Sequence, residues 1–382
     1  MQLSPVLAAT GTYPFVRLEQ AKQRLAAEGV ELIDFGKGDP REETDPLIRR
    51  ALVESIEPLS SYPLAEGLPE LREAAAGWCE RRFGVELDPD SEVIPTYGSK
   101  EAIFHLAQVV IDRESEKNLV LSTEPGYPVY DRGALFAGAE LQRLPLLEAN
   151  GFLPDLNAIA EETLARTAIF WINYPNNPTG AVAPLEFLER LATLAAEHDF
   201  LLAADEAYTE LWFDEPPHSA LEANDRSRVA VFQTLSKRSS MTGYRSGFVA
   251  GSTELIKALR QYRPTVGTAP QEFVQRASVA AWNDEEHVQR TREIYRRKRD
   301  VLLPVLSRKG IRVAGSTATM YLWLEAPSGE SSEKLADRLL EHGLIVSPGT
   351  FFGPSGDGYW RLALVPTEAE CERASEILEK VL

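Results

Sequence analysis

Cysteine is nearly absent: Cys79 and Cys371 are the only two in 382 residues, and they lie far apart. That excludes a disulfide framework and a cysteine-rich zinc site. Both fall in helix-like segments, where a buried free thiol is the expected state. No apolar run is long enough to span a bilayer. The first residues, MQLSPVLAATGTYPF, lack a basic start followed by an apolar stretch, so no signal peptide is expected and the chain reads as cytoplasmic. Basic residues are also in deficit: 40 Lys and Arg face 58 Asp and Glu, a net charge of -18. Nucleic acid and anionic membranes are therefore not expected partners, since both need a basic face. There is no internal repeat, low-complexity block, P-loop or dinucleotide fingerprint, and no metal site is expected. What is present is 44% hydrophobic and 26% charged sequence, an ordinary globular balance in a chain too long for one core.

From about Ser91 to Gly251, short apolar runs alternate with helical patterns. The runs are Asn118–Ser122, Thr167–Ile172, Phe200–Ala204, Val229–Gln233 and Gly247–Gly251. Each is apolar on both faces, as in a strand covered from both sides. The helices between them include Ser99–Arg113, Pro184–Glu197 and Thr253–Tyr262. This is the α/β pattern of a mostly parallel sheet. After Pro270 the pattern changes to one long helical stretch, roughly Gln271–Arg308, then short strands at Arg312–Val313, Met320–Leu324, Ile345–Ser347 and Tyr359–Leu364 with helices at Ser332–Glu341 and Glu368–Val381. These read as a second, α+β part. A helix over Phe15–Glu28 and a strand over Glu31–Asp34 are expected to join it.

Four segments carry chemistry. The first is Thr234-Leu-Ser-Lys237-Arg-Ser-Ser-Met-Thr-Gly-Tyr-Arg245-Ser-Gly, between two strands. Its lysine sits in a tight loop at a strand's C-terminal end, where α/β sheets place ligands. A nucleophilic lysine needs a lowered pKa, which burial or the charges of Arg238 and Arg245 would supply. Thr234, Ser236 and Arg245 suit a phosphate. In isolation a Ser-Lys pair is an ordinary basic turn. The second segment, Asn173-Tyr-Pro-Asn-Asn177-Pro-Thr-Gly180, is a proline-enforced turn after a strand. The third, Ala204-Asp205-Glu-Ala-Tyr208, ends a strand with a carboxylate. That carboxylate suits a protonated pyridine nitrogen; a helix cap or a metal ligand are its other uses. The fourth, Tyr97-Gly98-Ser99-Lys100, opens a helix whose free N–H groups suit an anion, or is simply a helix start.

In this order and spacing, the four segments resemble the class I/II aminotransferases of the pyridoxal 5'-phosphate (PLP) enzymes of fold type I, over nearly the whole chain. The resemblance implies a large PLP-binding domain with a mostly parallel seven-stranded sheet covered by helices, over residues 39–275. A smaller α+β domain then comes from both chain ends, residues 1–38 and 276–382. It implies that Lys237 carries PLP as a Schiff base, that Asp205 faces the pyridine nitrogen, and that Asn177 and Tyr208 face the phenolic oxygen. Tyr127 would stack on the ring. Ser99, Lys100, Thr234, Ser236 and Arg245 would hold the phosphate, with Tyr62 reaching it from the neighbouring subunit of a homodimer. Arg361 would clamp the substrate α-carboxylate, with Gly38 close to it. Thr268 matches a second position at the subunit interface.

The implied reaction is a ping-pong transfer of an amino group from an amino acid to a 2-oxo acid, commonly 2-oxoglutarate. A carbon–sulfur lyase on the same fold is the alternative. The opening segments TYPFVRLEQAK and IDFGKGDP are similar to the branch acting on diaminopimelate or its N-succinyl form. Lys37, an unusual charge beside Gly38, is expected to meet a distal acidic group; otherwise it is an exposed turn lysine.

Overall fold

The computed structural model describes residues 1, 3–9, 22, 29–59 and 61–382. In chain order the strands are β1 Ile33–Asp34, β2 Val93–Thr96, β3 Leu119–Glu124, β4 Glu140–Pro145, β5 Thr167–Asn173, β6 Leu201–Asp205, β7 Val229–Thr234, β8 Gly247–Gly251, β9 Val313–Gly315, β10 Tyr321–Glu325, β11 Leu344–Ile345, β12 Ser347–Pro348 and β13 Tyr359–Ala363. The large sheet has seven strands in the order β2-β8-β7-β6-β5-β3-β4. Only β8 runs against its neighbours. A mostly parallel seven-stranded sheet covered by helices is thus the architecture.

Alternation along each strand feeds two cores. On β5, Ile169 and Trp171 pack with Ile103 and Leu106 of the helix Ser99–Val110 and Ile256 of the helix Thr253–Tyr262. Phe170 and Ile172 face the other way, toward Trp78 of Pro69–Phe83, Leu191 of Leu185–Glu197 and Trp282 of Glu272–Asn283. Burial on both faces explains why these strands are legible as unbroken apolar runs. The edge strand β4 (ELQRLP) is mostly exposed and gives no such run.

The later residues build a four-stranded sheet, β12-β13-β10-β9, and a parallel pair, β1-β11. Ile33 and Phe35 join a core made by Leu302, Leu322, Leu339, Trp360 and Leu378. The expected strand near residue 34 therefore pairs with the C-terminal part; the expected helix Phe15–Glu28, Lys22 apart, lies outside the described residues. The single helix expected over Gln271–Arg308 is two, Glu272–Asn283 and Glu286–Arg308. Asp284 is extended, and its carboxylate accepts the His287 backbone N–H at 2.9 Å, which starts a new helix rather than continuing the old one. Among the described residues no helix is long and apolar enough to cross a membrane.

Candidate active site

Strands β5, β6 and β7 run parallel, so Asn173, Asp205 and Thr234 end them on the same edge of the sheet. After β7 the chain turns at once into a one-turn helix, Leu235–Arg238, with Thr234 as its cap: Oγ1 accepts the Ser236 N–H at 3.2 Å. The loop expected around Lys237 is thus helical, because the strand's last threonine supplies the cap. Lys237 Nζ donates to the Gly38 carbonyl at 2.5 Å. Burial pulls its pKa down to about 8; Asp39 opposes this, while Arg361 and Arg245 add to it. Arg238 does not share in this, contrary to the sequence reading. One residue on along a helix, its side chain points about 100° away. It is buried over Trp282 and Trp78 and donates to the Ala281 carbonyl and to Glu285, each at 2.6 Å.

Asp205 is buried, and burial raises its carboxyl to about 6 against hydrogen bonds from Tyr130 Oη (2.7 Å) and the Ala207 N–H (3.2 Å). A buried carboxylate of this kind is completed by a cation, such as a protonated ring nitrogen. Glu206 faces the opposite side, accepting from Ser219 Oγ at 3.0 Å, the Ala220 N–H at 2.8 Å and Gln233 Nε2 at 2.9 Å. It adds nothing to a metal site, and no group of His, Cys, Asp and Glu able to hold a metal occurs among the described residues.

The anion end is built at the helix Ser99–Val110. Gly98 caps it with φ 72° and no side-chain hydrogen bond, which leaves first-turn N–H groups for a ligand. A Cβ at Gly98 would lie 2.5 Å from Arg245 Nη2, so glycine is required for that approach as well as for its φ. Arg245 donates to the Thr242 carbonyl at 2.9 Å. Burial lowers the Lys100 pKa, and Arg245 and Arg132 lower it further. Cations pushed together in this way suit a dianion. Thr234 Oγ1 and Ser236 Oγ stand 3.0 Å apart beside them.

At the other end, Arg361 of β13 donates to Asn177 Oδ1 at 2.7 Å and to the Gly36 carbonyl at 2.8 Å. Its guanidinium lies 4.1 Å over the Tyr321 ring and 4.5 Å over Phe352. The bond to Oδ1 leaves the Asn177 amide N–H₂ as the end available to a second partner. The Asn177 turn is braced by Asn173, whose Oδ1 accepts the Asn177 N–H at 2.8 Å and whose Nδ2 donates to the Asp205 carbonyl at 2.8 Å. Tyr208 Oη lies 2.8 Å from Tyr321 Oη.

One cavity of about 370 Å³ is lined by Lys237, Asp205, Tyr208, Asn177, Tyr127, Ser99, Lys100, Thr234, Ser236, Arg245, Arg361, Gly38 and Lys37. Every residue that the resemblance places at the cofactor or the substrate is there except Tyr62, which is fully exposed. Thr268, the other interface position, lies outside the cavity's lining; its N–H donates to the Arg263 carbonyl at 3.3 Å. Sequence reasoning missed Tyr130, Asn173, Asp39, Thr242, Tyr321, Phe351 and Phe352. Asn173 opens the segment NYPNNPTG already singled out, and Tyr130 stands three residues after Tyr127 in EPGYPVY, so spacing from Asn177 and Tyr127 was a usable signal. Tyr321 had none.

An amine at one wall, a buried carboxylate at a second, clustered cations at a third and a guanidinium at the mouth match the aldehyde, ring nitrogen and phosphate of PLP and the carboxylate of an amino acid. The residues fit the cofactor. The fold and this donor set define a PLP-dependent transaminase. The chain belongs to the class I and II aminotransferases, whose family model matches residues 30–378. It is 40% identical to the LL-diaminopimelate aminotransferase of Dehalococcoides mccartyi, over 98% of this chain and 97% of the relative. An aminotransferase structure from Neisseria meningitidis superposes with a TM-score of 0.92 at 36% identity, covering both chains fully. A probable N-succinyldiaminopimelate aminotransferase from Thermus thermophilus gives 0.89 at 32%, over 96% of this chain and 100% of that one. These relatives carry aminotransferase names, which favours amino transfer over the lyase alternative.

Proposed function

We propose that this enzyme moves an amino group from diaminopimelate, or its N-succinyl form, to 2-oxoglutarate. The observation that carries the reading is a single cavity joining the Lys237 amine, the Asp205 carboxylate and the Arg361 guanidinium. Bound PLP supplies the electron sink and holds the amino group between the two half-reactions. In this reading Arg361 binds the substrate α-carboxylate as a planar fork, and Asn177, fixed by the same guanidinium, turns its amide donor to the cofactor. Asp205 holds a proton on the ring nitrogen. Lys237 Nζ takes the Cα proton; burial that brings its pKa to about 8 makes a neutral amine available near neutral pH. Phe352 and Tyr321 wall the Arg361 end with apolar surface, which strengthens the ion pair there. Lys37 at the cavity wall meets a distal acidic group.

The enzyme acts in the cytoplasm as a homodimer in which Tyr62 reaches the partner's phosphate site. Support for the dimer is the exposed apolar run Val53, Ile56, Leu59, Tyr62 and Leu64, a face that a second copy would bury. The chain divides into residues 39–275 around the large sheet and a smaller part from 1–38 and 276–382; the helix Glu272–Asn283 crosses that division and packs on the large-sheet core.

A donor screen tests the reading. Each true donor converts the holoenzyme's visible absorption to that of the amine form, and 2-oxoglutarate restores it. Lys237→Ala gives no multiple turnover. Release of pyruvate and ammonia without a new amino acid would overturn the assignment.

A further inference from the structure

Tyr321 touches three parts of the site at once. Its hydroxyl is 2.8 Å from the Tyr208 hydroxyl, and its ring lies 4.1 Å beneath the Arg361 guanidinium. Its hydroxyl also occupies the space where a side chain at residue 38 would begin: a Cβ on Gly38 would fall 2.0 Å from it. The Gly38 carbonyl in turn holds Lys237 Nζ. Tyr321 itself is 2% exposed and starts β10, which pairs with the strand of Arg361.

We propose that Tyr321 is a positioning residue that joins the two halves of the site: its hydroxyl donates to Tyr208 and sharpens that residue's hydrogen bond to the cofactor's phenolic oxygen, while its ring supports Arg361 for the substrate carboxylate. This rests on the roles given above to Tyr208 and Arg361. The donor order follows from charge. A phenolic oxygen that carries negative charge takes the Tyr208 proton, so Tyr208 Oη accepts from Tyr321. Hydrogen bonds in such a chain strengthen one another. Glycine at 38 is explained by the same contact, because any side chain there drives the Tyr321 hydroxyl off Tyr208.

The two contacts separate by substitution. Tyr321→Phe keeps the ring and removes only the hydroxyl; Tyr321→Leu removes both. The first readout is the pH midpoint of the holoenzyme's visible absorption, which reports the proton on the nitrogen linking the cofactor to Lys237. Weaker donation to the phenolic oxygen leaves more negative charge beside that proton, so the midpoint rises. Tyr321→Phe raises it by about half a unit, Tyr208→Phe raises it further, and the double variant matches Tyr208→Phe alone, since Tyr321 acts through Tyr208. The second readout is affinity for a non-reacting dicarboxylate. It is unchanged in Tyr321→Phe and falls by about 3- to 30-fold in Tyr321→Leu, the range from an exposed to a desolvated cation–π contact. A midpoint unmoved by Tyr208→Phe sinks the role given to Tyr208, and the inference with it. A midpoint moved by Tyr208→Phe but not by Tyr321→Phe, or shifts that simply add, overturns the inference alone. Equal dicarboxylate affinity in the Phe and Leu variants overturns its second half.

Discussion

Tyr130→Phe isolates one hydrogen bond to the carboxylate that holds the ring nitrogen. The Tyr130 ring is stacked on Trp171 at 4.8 Å and 14°, and phenylalanine keeps that contact. Only the 2.7 Å bond to Asp205 Oδ2 is lost. A hydrogen bond to a charged group contributes about 1.5–3 kcal/mol, which at 1.36 kcal/mol per unit raises the Asp205 pKa by about 1–2 units. The starting point is about 6. At pH 7 the ionised fraction of the empty site then falls from about nine-tenths to between about one-half and one-tenth. Binding that requires the carboxylate weakens by about 2- to 10-fold at pH 7 and hardly at all at pH 9, where both proteins are ionised. The assay is titration of apoenzyme with PLP at the two pH values, followed by absorption. A loss of the same size at both values refutes the electrostatic argument and makes Tyr130 a packing residue. No loss at either refutes the importance of the bond.

Gly98→Ala puts a Cβ 2.5 Å from Arg245 and into a left-handed conformation, so it weakens binding of both PLP and inorganic phosphate, read by competition between them. Lys37→Ala raises KM for donors with a distal acidic group and leaves simple monocarboxylic donors unchanged; equal KM for all dicarboxylic donors would remove Lys37 from recognition. Arg238→Ala removes the buried guanidinium packed over the Trp78 and Trp282 rings and leaves the half-exposed Glu285 and the Ala281 carbonyl without their donor, which costs about 1–3 kcal/mol in urea unfolding of the holoenzyme.

Much of the large sheet was legible because its strands are buried on both faces and so write five-residue apolar runs. β4 was not, because an exposed edge strand carries no such constraint. The break at Asp284 was hidden for a different reason: the flanking residues are all compatible with helix, and only the carboxylate's bond to His287 decides it. In the site, residues that end strands or open helices could be read from local pattern. Tyr321 could not. Its partner Tyr208 is 113 residues away, and nothing local distinguishes its place in TMYLW from an ordinary buried strand residue. Glu206 shows the limit from the other side. It stands next to Asp205 in sequence, yet alternation along the strand turns it to a separate buried network.

Burial acts on Lys237 and Asp205 with the same physical cause and opposite result. It disfavours each charge, so the amine moves down to about 8 and the carboxyl moves up to about 6. Brought toward each other, the two values leave a window near neutrality in which Asp205 is ionised and Lys237 has an appreciable neutral fraction. Below about pH 6 the carboxyl takes a proton and its claim on the ring nitrogen is lost. An acid limb near pH 6 in cofactor binding is therefore the signature of Asp205, and it is the limb that Tyr130→Phe moves upward. The residues that hold the window open are those that oppose burial. The Tyr130 and Ala207 hydrogen bonds favour the carboxylate, while Asp39 keeps Lys237 from falling further. None of the three belongs to the segments' conspicuous lysine, arginine or asparagine positions, which is why the reaction class was easier to read than the means by which its pH range is set.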